Sequence, residues 1–193
     1  MLKKLILLAG PTASGKSNLA IKLAEKINGE IINADSMQVF KEFSVLSSRP
    51  NSAQTSKIQH HLYGTISVKK HFSAGDWLKQ VKKKINICKK KKKVPIIVGG
   101  TGLYFNIITK GISKIPDIDI KTRNNVRNLF KKLGHKKFYY QLLKLDPKIK
   151  GKILRTDSQR LQRAYEVKLK TKKSLYDWFA TVSYTHLTLP TKA

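Results

Sequence analysis

Gly10-Pro11-Thr12-Ala13-Ser14-Gly15-Lys16-Ser17 has the pattern G-x-x-x-x-G-K-[ST]. Residues of these types at this spacing make a phosphate cradle. The glycines let the backbone curl until successive N–H groups point at one anion, Lys16 reaches its oxygens, and the Ser17 hydroxyl is placed to ligate Mg2+. The alternative is a glycine-rich turn without a ligand. A cradle alone does not say whether the bound pyrophosphate group belongs to a nucleotide. Motor-type and switch-type NTPases carry an acidic residue at the end of a later apolar strand to hold Mg2+. Here Val94–Val98 runs into Gly99-Gly100-Thr101 instead. The carboxylate on offer is Asp35, after the second apolar run, as a general base. Its other reading is an Asp that caps the turn before Ser36. Thr101 has a hydroxyl and neighbouring N–H groups for the same phosphates.

Further along, Asp157-Ser158-Gln159-Arg160-Leu161-Gln162-Arg163 puts two arginines three apart on one helical face. That spacing suits an anionic ligand or an RNA backbone, and equally a surface helix with ion pairs to Asp157 or Glu166. His60-His61 invites a metal reading but has no third ligand nearby in sequence, so a loop role is expected.

The elements that must position these groups follow from periodicity. Leu5–Leu8 is a short apolar run ended by Gly10-Pro11, the mark of a strand buried on both faces. Leu19, Leu23 and Ile27, with Ala20 and Ala24, predict an amphipathic helix that stops at Asn28-Gly29. Ile31-Ile32-Asn33-Ala34 is a second strand, and strand–helix–strand within about thirty residues is the βαβ unit of a parallel sheet. Residues 41–73 lack a period. From Asp76 on, Trp77, Val81, Ile85 and Cys88 keep helical spacing while lysines fill the other faces. Those lysines suit a phosphate-tracking surface, or a solvated helix end favoured by the helix dipole. Val94–Val98 predicts another central strand, with Pro95 near its start. After Ile115-Pro116-Asp117 the pattern is helical, with Leu129, Leu133, Phe138, Leu142 and Leu145 as expected core positions.

Taken together, GPTASGKS, ADSMQVF at 34–40, HHL at 60–62, VGGTGLYF at 98–105 and DSQRLQRAYEV at 157–167 resemble the tRNA dimethylallyltransferase family, also called isopentenylpyrophosphate transferases. The resemblance covers about residues 4–180. It implies an α/β P-loop core with a parallel sheet, and transfer of a dimethylallyl group from dimethylallyl diphosphate to N6 of the adenosine 3′ of the tRNA anticodon. On this carry-over Thr12–Ser17 hold the diphosphate, with Lys16 and Thr101 supporting catalysis, and Asp35 takes the N6 proton. Asp35, Ser36, Met37, Gln38, Thr101, Arg123, Gln159, Arg160, Leu161, Gln162 and Arg163 contact tRNA. The expected organisation is a transferase core at 1–114, a helical insertion at 115–156, a segment at 157–181 returning to the core, and a tail at 182–193. Two departures are mild: Phe40 stands where the family commonly has Tyr, and Ser47-Ser48-Arg49-Pro50 replaces Gly-Thr-x-Lys-Pro. Family members continue into a segment with a GYR-type motif whose arginine supports diphosphate departure. The threonine-rich VSYTHLTLPTKA resembles translated sequencing-adapter read-through. The chain is therefore expected to be an incomplete fragment with a foreign tail.

Composition bounds the rest. The chain has 193 residues, of which 40% are apolar and 26% charged. That balance excludes collagen-like, membrane-spanning and wholly disordered classes. A formal charge of +29 expects a polyanionic partner. Arginine stands only at 49, 123, 127, 155, 160 and 163, so the excess is lysine, which also fits drift toward AT-rich codons. A single cysteine, Cys88, leaves no internal disulfide and points to a reducing cytoplasm. MLKKLILLAG is too short an apolar run for a signal peptide and lacks a cleavage pattern. A soluble, cytoplasmic, monomeric protein without membrane attachment is expected. The enzymatic rival is a small-molecule P-loop kinase, and the non-catalytic rival a basic RNA-binding module.

Overall fold

The computed structural model describes residues 5–47 and 49–180. Its chain divides between Lys110 and Gly111 into two compact units. The first is α/β. Its elements in order are β1 (Ile6–Ala9), α1 (Lys16–Ile27), β2 (Gly29–Asn33), α2 (Ser52–Lys57), β3 (His60–His61), α3 (Ala74–Lys90), β4 (Val94–Gly99) and α4 (Gly102–Lys110). All strand pairings are parallel, in the order β1-β4-β2-β3. Thus β4 is central: Ile96 pairs Ile6 on one side and Ile31 on the other. Both β2 and β4 are buried along their whole length, which is why neither alternates apolar with exposed polar residues; the polar Glu30 and Asn33 of β2 are buried with hydrogen-bond partners. Pro95 sits one residue before the β1 pairing begins, where a missing N–H is tolerated.

The two sheet faces follow from side-chain alternation. Ile31, Ile96 and Val98 pack with Ala20, Ile21 and Ala24 of α1. Glu30, one residue out of phase with Ile31, meets Cys88 of α3 instead. So α1 and α3 cover opposite faces. On α3 the inward residues are Trp77, Leu78, Val81, Ile85 and Cys88, as the spacing predicts, with Leu78 added. Ser73 and Asp76 form a reciprocal capping box at its start, satisfying two backbone donors at once. The helix α1 departs from its reading: Leu19 is 55% exposed, and the row Ala20, Ile21 and Ala24 faces the sheet. Small residues win that face because the helix lies close on the strands. The stop also differs, since Asn28, not Gly29, takes the left-handed cap at φ 54°. Asparagine is the residue after glycine that best tolerates that conformation. Gly29 begins β2, where a Cβ would lie 2.8 Å from Ile96 Cδ1.

The second unit is helical, with α5 (Ile120–Leu145), α6 (Ser158–Thr171) and α7 (Leu175–Ala180). Gly134 interrupts α5 at φ 67° and ψ 173°. Phe138 and Leu142 are fully buried, while Leu129 and Leu133 pack at the margin. Leu145 is 38% exposed, at the last turn where the core ends. The expected return of 157–181 to the first unit is corrected as far as the described residues reach: α6 packs on α5, and Leu161, Ala164, Tyr165 and Val167 join the helical core. These apolar residues find their complement in Phe138, Leu142 and Ile149. The boundary also falls a few residues before the Pro116 break. The tail at 182–193 lies outside the described residues.

Candidate active site

Gly10–Ser17, Asp35 and Thr101 follow the carboxyl ends of β1, β2 and β4 in the first unit. Gly10–Ser17 links β1 to α1, and Lys16 is the first helical residue. Gly15 precedes the helix at φ 78° and offers no side-chain cap. The first-turn N–H groups therefore remain available to an anion. Ala13, at φ 64°, joins Gly15 in giving the loop its concave backbone, the shape in which successive N–H groups converge. Lys16 Nζ donates to Pro11 O at 2.8 Å, which holds the ammonium across the loop. Thr12–Asn18 and Gln38 line a cleft of about 250 Å³.

The loop after β2 is built on Asn33, which is fully buried. Its Nδ2 donates to Asp35 O at 2.9 Å and Leu62 O at 3.1 Å, and its Oδ1 accepts from Asp35 N at 2.9 Å. Asn33 O in turn accepts from Trp77 Nε1 at 2.9 Å, and the Trp77 ring stacks on Tyr104 at 3.9 Å. Both backbone groups of Asp35 are thereby held by the side chain of one buried residue, which is itself anchored by Leu62 and Trp77. Its side chain does part of what the turn reading expects: Oδ1 accepts from Met37 N at 2.9 Å and Gln38 N at 3.4 Å. Among the described residues Oδ2 takes no hydrogen bond.

Two glycines bring this carboxylate to the phosphate loop. A Cβ on Gly99 would lie 2.2 Å from Ala34 C and O, so only glycine admits the 34–35 backbone there. A Cβ on Gly100 would lie 3.2 Å from Gly10 O and 3.8 Å from Asp35 Oδ2, so the two atoms lie close to one point beside Gly100. Thr101 is tied to the Asp35 loop: its Oγ1 accepts from Ser36 N at 2.9 Å and reaches Ser36 Oγ at 3.3 Å. Its own N–H donates to Ala34 O, so neither group points at phosphate as the sequence reading expects. Tyr63 and Tyr104 stay protonated beside Asp35. Burial raises both phenols and the Asp35 charge adds to it, taking Tyr104 to about 12, because both effects disfavour the phenolate.

Other expected residues stand elsewhere. Met37 is 49% exposed. In the second unit Arg160 lies 3.4 Å from Asp157 Oδ2 and Arg163 lies 3.4 Å from Glu166 Oε2, the ion-pair alternative for both. Gln159 and Arg160 are exposed, and Gln162 and Arg163 half-buried. Leu161 is fully buried in the helical core, which leaves its side chain no face for RNA, a correction that follows from its apolar spacing with Ala164 and Tyr165. Arg123 has a buried Nε without a hydrogen-bond partner among the described residues. His61 does find ligand-type neighbours that sequence distance concealed. Its Nε2 lies 2.7 Å from Glu30 Oε2, to which Cys88 Sγ donates at 3.4 Å, and all three are buried. Glu30 Oε1 also faces Lys91 at 3.7 Å. These groups satisfy one another, and the cluster fastens the two-residue β3 to β2 and α3. Burial pushes the Cys88 thiol up to about 12, helped by Glu30.

Residues 38–191 match the model of a family described as IPP transferase. The chain belongs to the IPP transferase family. Among its relatives, the tRNA dimethylallyltransferase of Pelagibacter ubique is 58% identical over 177 residues, covering 92% of this chain and 56% of that one. The tRNA dimethylallyltransferase of Rickettsia bellii is 45% identical over 176 residues, covering 91% and 56%. This IPP transferase chain thus spans about half the length of the curated relatives it matches. In fold it is similar to a eukaryotic dimethylallyltransferase acting on tRNA, with TM-score 0.80, 29% identity, and 94% of this chain and 45% of that one covered. It is also similar to the tRNA isopentenylpyrophosphate transferase of Bacillus halodurans, with TM-score 0.57, 30% identity, and 91% and 58% covered. Among the described residues no helix is long and apolar enough to cross a membrane.

Proposed function

We propose that the chain carries the diphosphate-binding and base-bearing part of a tRNA prenyltransferase. The donor is dimethylallyl diphosphate, and the acceptor is N6 of the adenosine 3′ of the anticodon. The observation that carries this reading is that Asp35 Oδ2 and Gly10 O both lie close to the one point a Cβ on Gly100 would occupy, which supports a carboxylate beside the start of the phosphate loop. In the reaction the N6 nitrogen bonds to C1 of the dimethylallyl group, the C1–O bond breaks, and diphosphate leaves with the electron pair. Asp35 Oδ2 accepts the N6 proton, while Oδ1 stays bound to Met37 N and keeps the carboxylate oriented. Lys16 and the first-turn N–H groups of α1 neutralise the charge that grows on the leaving oxygen. Thr101 holds the 35–38 loop through Ser36, a positioning role. Ser17 lines the cleft and offers a hard hydroxyl oxygen, a donor that with diphosphate oxygens suits Mg2+. That ion, when bound, supplies further charge neutralisation. The adenine must leave its stack to reach Asp35. Ser36–Gln38, Gln159, Arg160, Gln162, Arg163 and Arg123 are the proposed tRNA contacts, in a cytoplasmic, monomeric enzyme.

Ligand choice tests the reading. In Mg2+ buffer, dimethylallyl diphosphate raises the thermal midpoint and ATP has the smaller effect at equal concentration. Stabilisation by ATP alone would replace the prenyltransferase with a kinase.

A further inference from the structure

The outward face of α3 carries charge that the site does not use. From Trp77 to Pro116 the sequence has no acidic residue, while Lys79, Lys82, Lys83, Lys84 and the run Lys89–Lys93 crowd one helix and its end. Lys79, Lys82, Lys83, Lys89 and Lys90 are exposed. Few counter-charges meet this segment: Lys91 faces Glu30 at 3.7 Å, and Asp76, near Lys79, is already tied to Ser73. Residues 79, 83 and 90 fall on one side of the helix and span about 17 Å at about 1.5 Å per residue.

The helix dipole explains lysines in the last turn but not Lys79, Lys82 and Lys83, which lie before the last turn, where like charges three and four apart oppose helix formation. An anionic partner removes that cost. A membrane surface is a poor fit, because the apolar residues Trp77, Leu78, Val81 and Ile85 are buried and Ile87, 38% exposed, is too little apolar surface to enter a lipid interface. No aromatic side chain lies among the lysines, so the face lacks a platform for stacking single-stranded bases. What remains is a ridge of ammonium groups suited to phosphates without regard to sequence. The ridge starts beside the site, since Trp77 of the same helix donates to Asn33 O, and runs away from it along the sheet.

We propose that the exposed lysine face of α3 is a second RNA surface, which tracks the phosphate backbone of the tRNA outside the reaction site. It rests on the tRNA reading above for its partner, and on the charge of α3 for its place.

The test measures binding of an unmodified tRNA transcript to the full chain over a range of salt concentrations, from about 50 to about 300 mM. K83Q/K90Q is compared with K22Q/K26Q, an equal loss of charge on α1, across the sheet. In K83Q/K90Q the slope of log affinity against log salt becomes shallower by about 1.5, and affinity near 0.1 M falls about tenfold. K22Q/K26Q changes affinity less than about twofold, and K83R/K90R, which keeps both charges, restores the slope. Unchanged far-UV circular dichroism and an unchanged thermal response to dimethylallyl diphosphate show that the variants are folded and their phosphate loops intact. Equal losses in the two Gln pairs, no loss in either, or a greater dependence of phosphatidylserine vesicle binding than of tRNA binding on Lys83 and Lys90 would each overturn the proposal. Dependence of tRNA binding on α3 without any response to the prenyl diphosphate keeps this surface and removes the transferase reading. A prenyl-diphosphate response with tRNA binding indifferent to α3 does the reverse.

Discussion

Asp35 has two tasks in this fold, and two substitutions separate them. Its Oδ1 accepts from Met37 N at 2.9 Å and Gln38 N at 3.4 Å, while Oδ2 lies beside Gly100, close to Gly10 O at the start of the phosphate loop. Asp35→Asn keeps a carbonyl oxygen for the turn and removes the base. Asp35→Ala removes both. If the carboxylate accepts the N6 proton, its loss raises the barrier by about 2.7–5.5 kcal/mol, a rate loss of about 10²–10⁴. The turn bonds resemble an N-cap in kind, so Ala costs about 0.5–2 kcal/mol of stability that Asn largely spares. The assay is single-turnover transfer of labelled dimethylallyl to unmodified tRNA, in a chain continued by the C-terminal part of the Pelagibacter relative, alongside urea unfolding of each variant. Both variants are expected to lose the same factor in rate, with only Ala losing stability. A rate retained in Asn and lost in Ala would make Asp35 a capping residue and refute the proton-transfer role.

Three other outcomes follow from the same geometry. Gly99→Ala would force a Cβ within 2.2 Å of the Ala34 backbone. Denaturation should therefore show a loss of about 3 kcal/mol or more, and a neutral substitution would contradict the close approach. Burial drives the Glu30 carboxyl up, but hydrogen bonds from His61 and Cys88 and the charges of His61 and Lys91 prevail and leave it below its ordinary 4.5. The folded state therefore favours the ionised form, a contribution present above about pH 4.5 and lost as pH falls through the lowered value. The urea midpoint should drop over that acid range, and Glu30→Gln should flatten the drop. Cys88, buried with its thiol raised to about 12, should resist a thiol reagent in native protein and react once urea unfolds it; rapid native labelling would contradict that burial.

The P-loop and its flanking strands are legible because their signals are local. A glycine spacing and two apolar runs lie close together in sequence, but an apolar run does not fix burial: β4 is buried along its length, whereas β1, read as buried on both faces, is a half-buried edge strand. Orientation and distance are not legible in the same way. The Leu19–Leu23–Ile27 row is a true helical stripe, but the face beside it, Ala20 and Ala24, allows the closer helix–sheet approach. The short helix α2 hides within the aperiodic 41–73 stretch, although Asn51 and Gln54 have capping-box spacing, the one local sign available. Asn33 gives no sign of its importance, because its partners include Leu62 O and Trp77 Nε1, far along the chain. His61 likewise meets Glu30 and Cys88 only after β3 joins β2. The arginine pair on α6 has a spacing that serves ion pairs and RNA alike, and Leu161 between them serves the core.

The central position of β4 also has a consequence in time. β1 and β2 follow each other closely in sequence yet do not pair; each binds a different side of β4. On a ribosome adding about 5–20 residues per second, the roughly 90 residues from Ala9 to Gly99 take roughly 5–20 s to appear. Through that interval two apolar strands exist with no partner for their inner edges, and α1 has only half a surface to cover. The keystone is the last of the four strands to be synthesised, so until then the nascent N-terminus carries unpaired edges and apolar surface prone to aggregate. Closing the sheet is then a single long-range insertion rather than a stepwise zippering of neighbours.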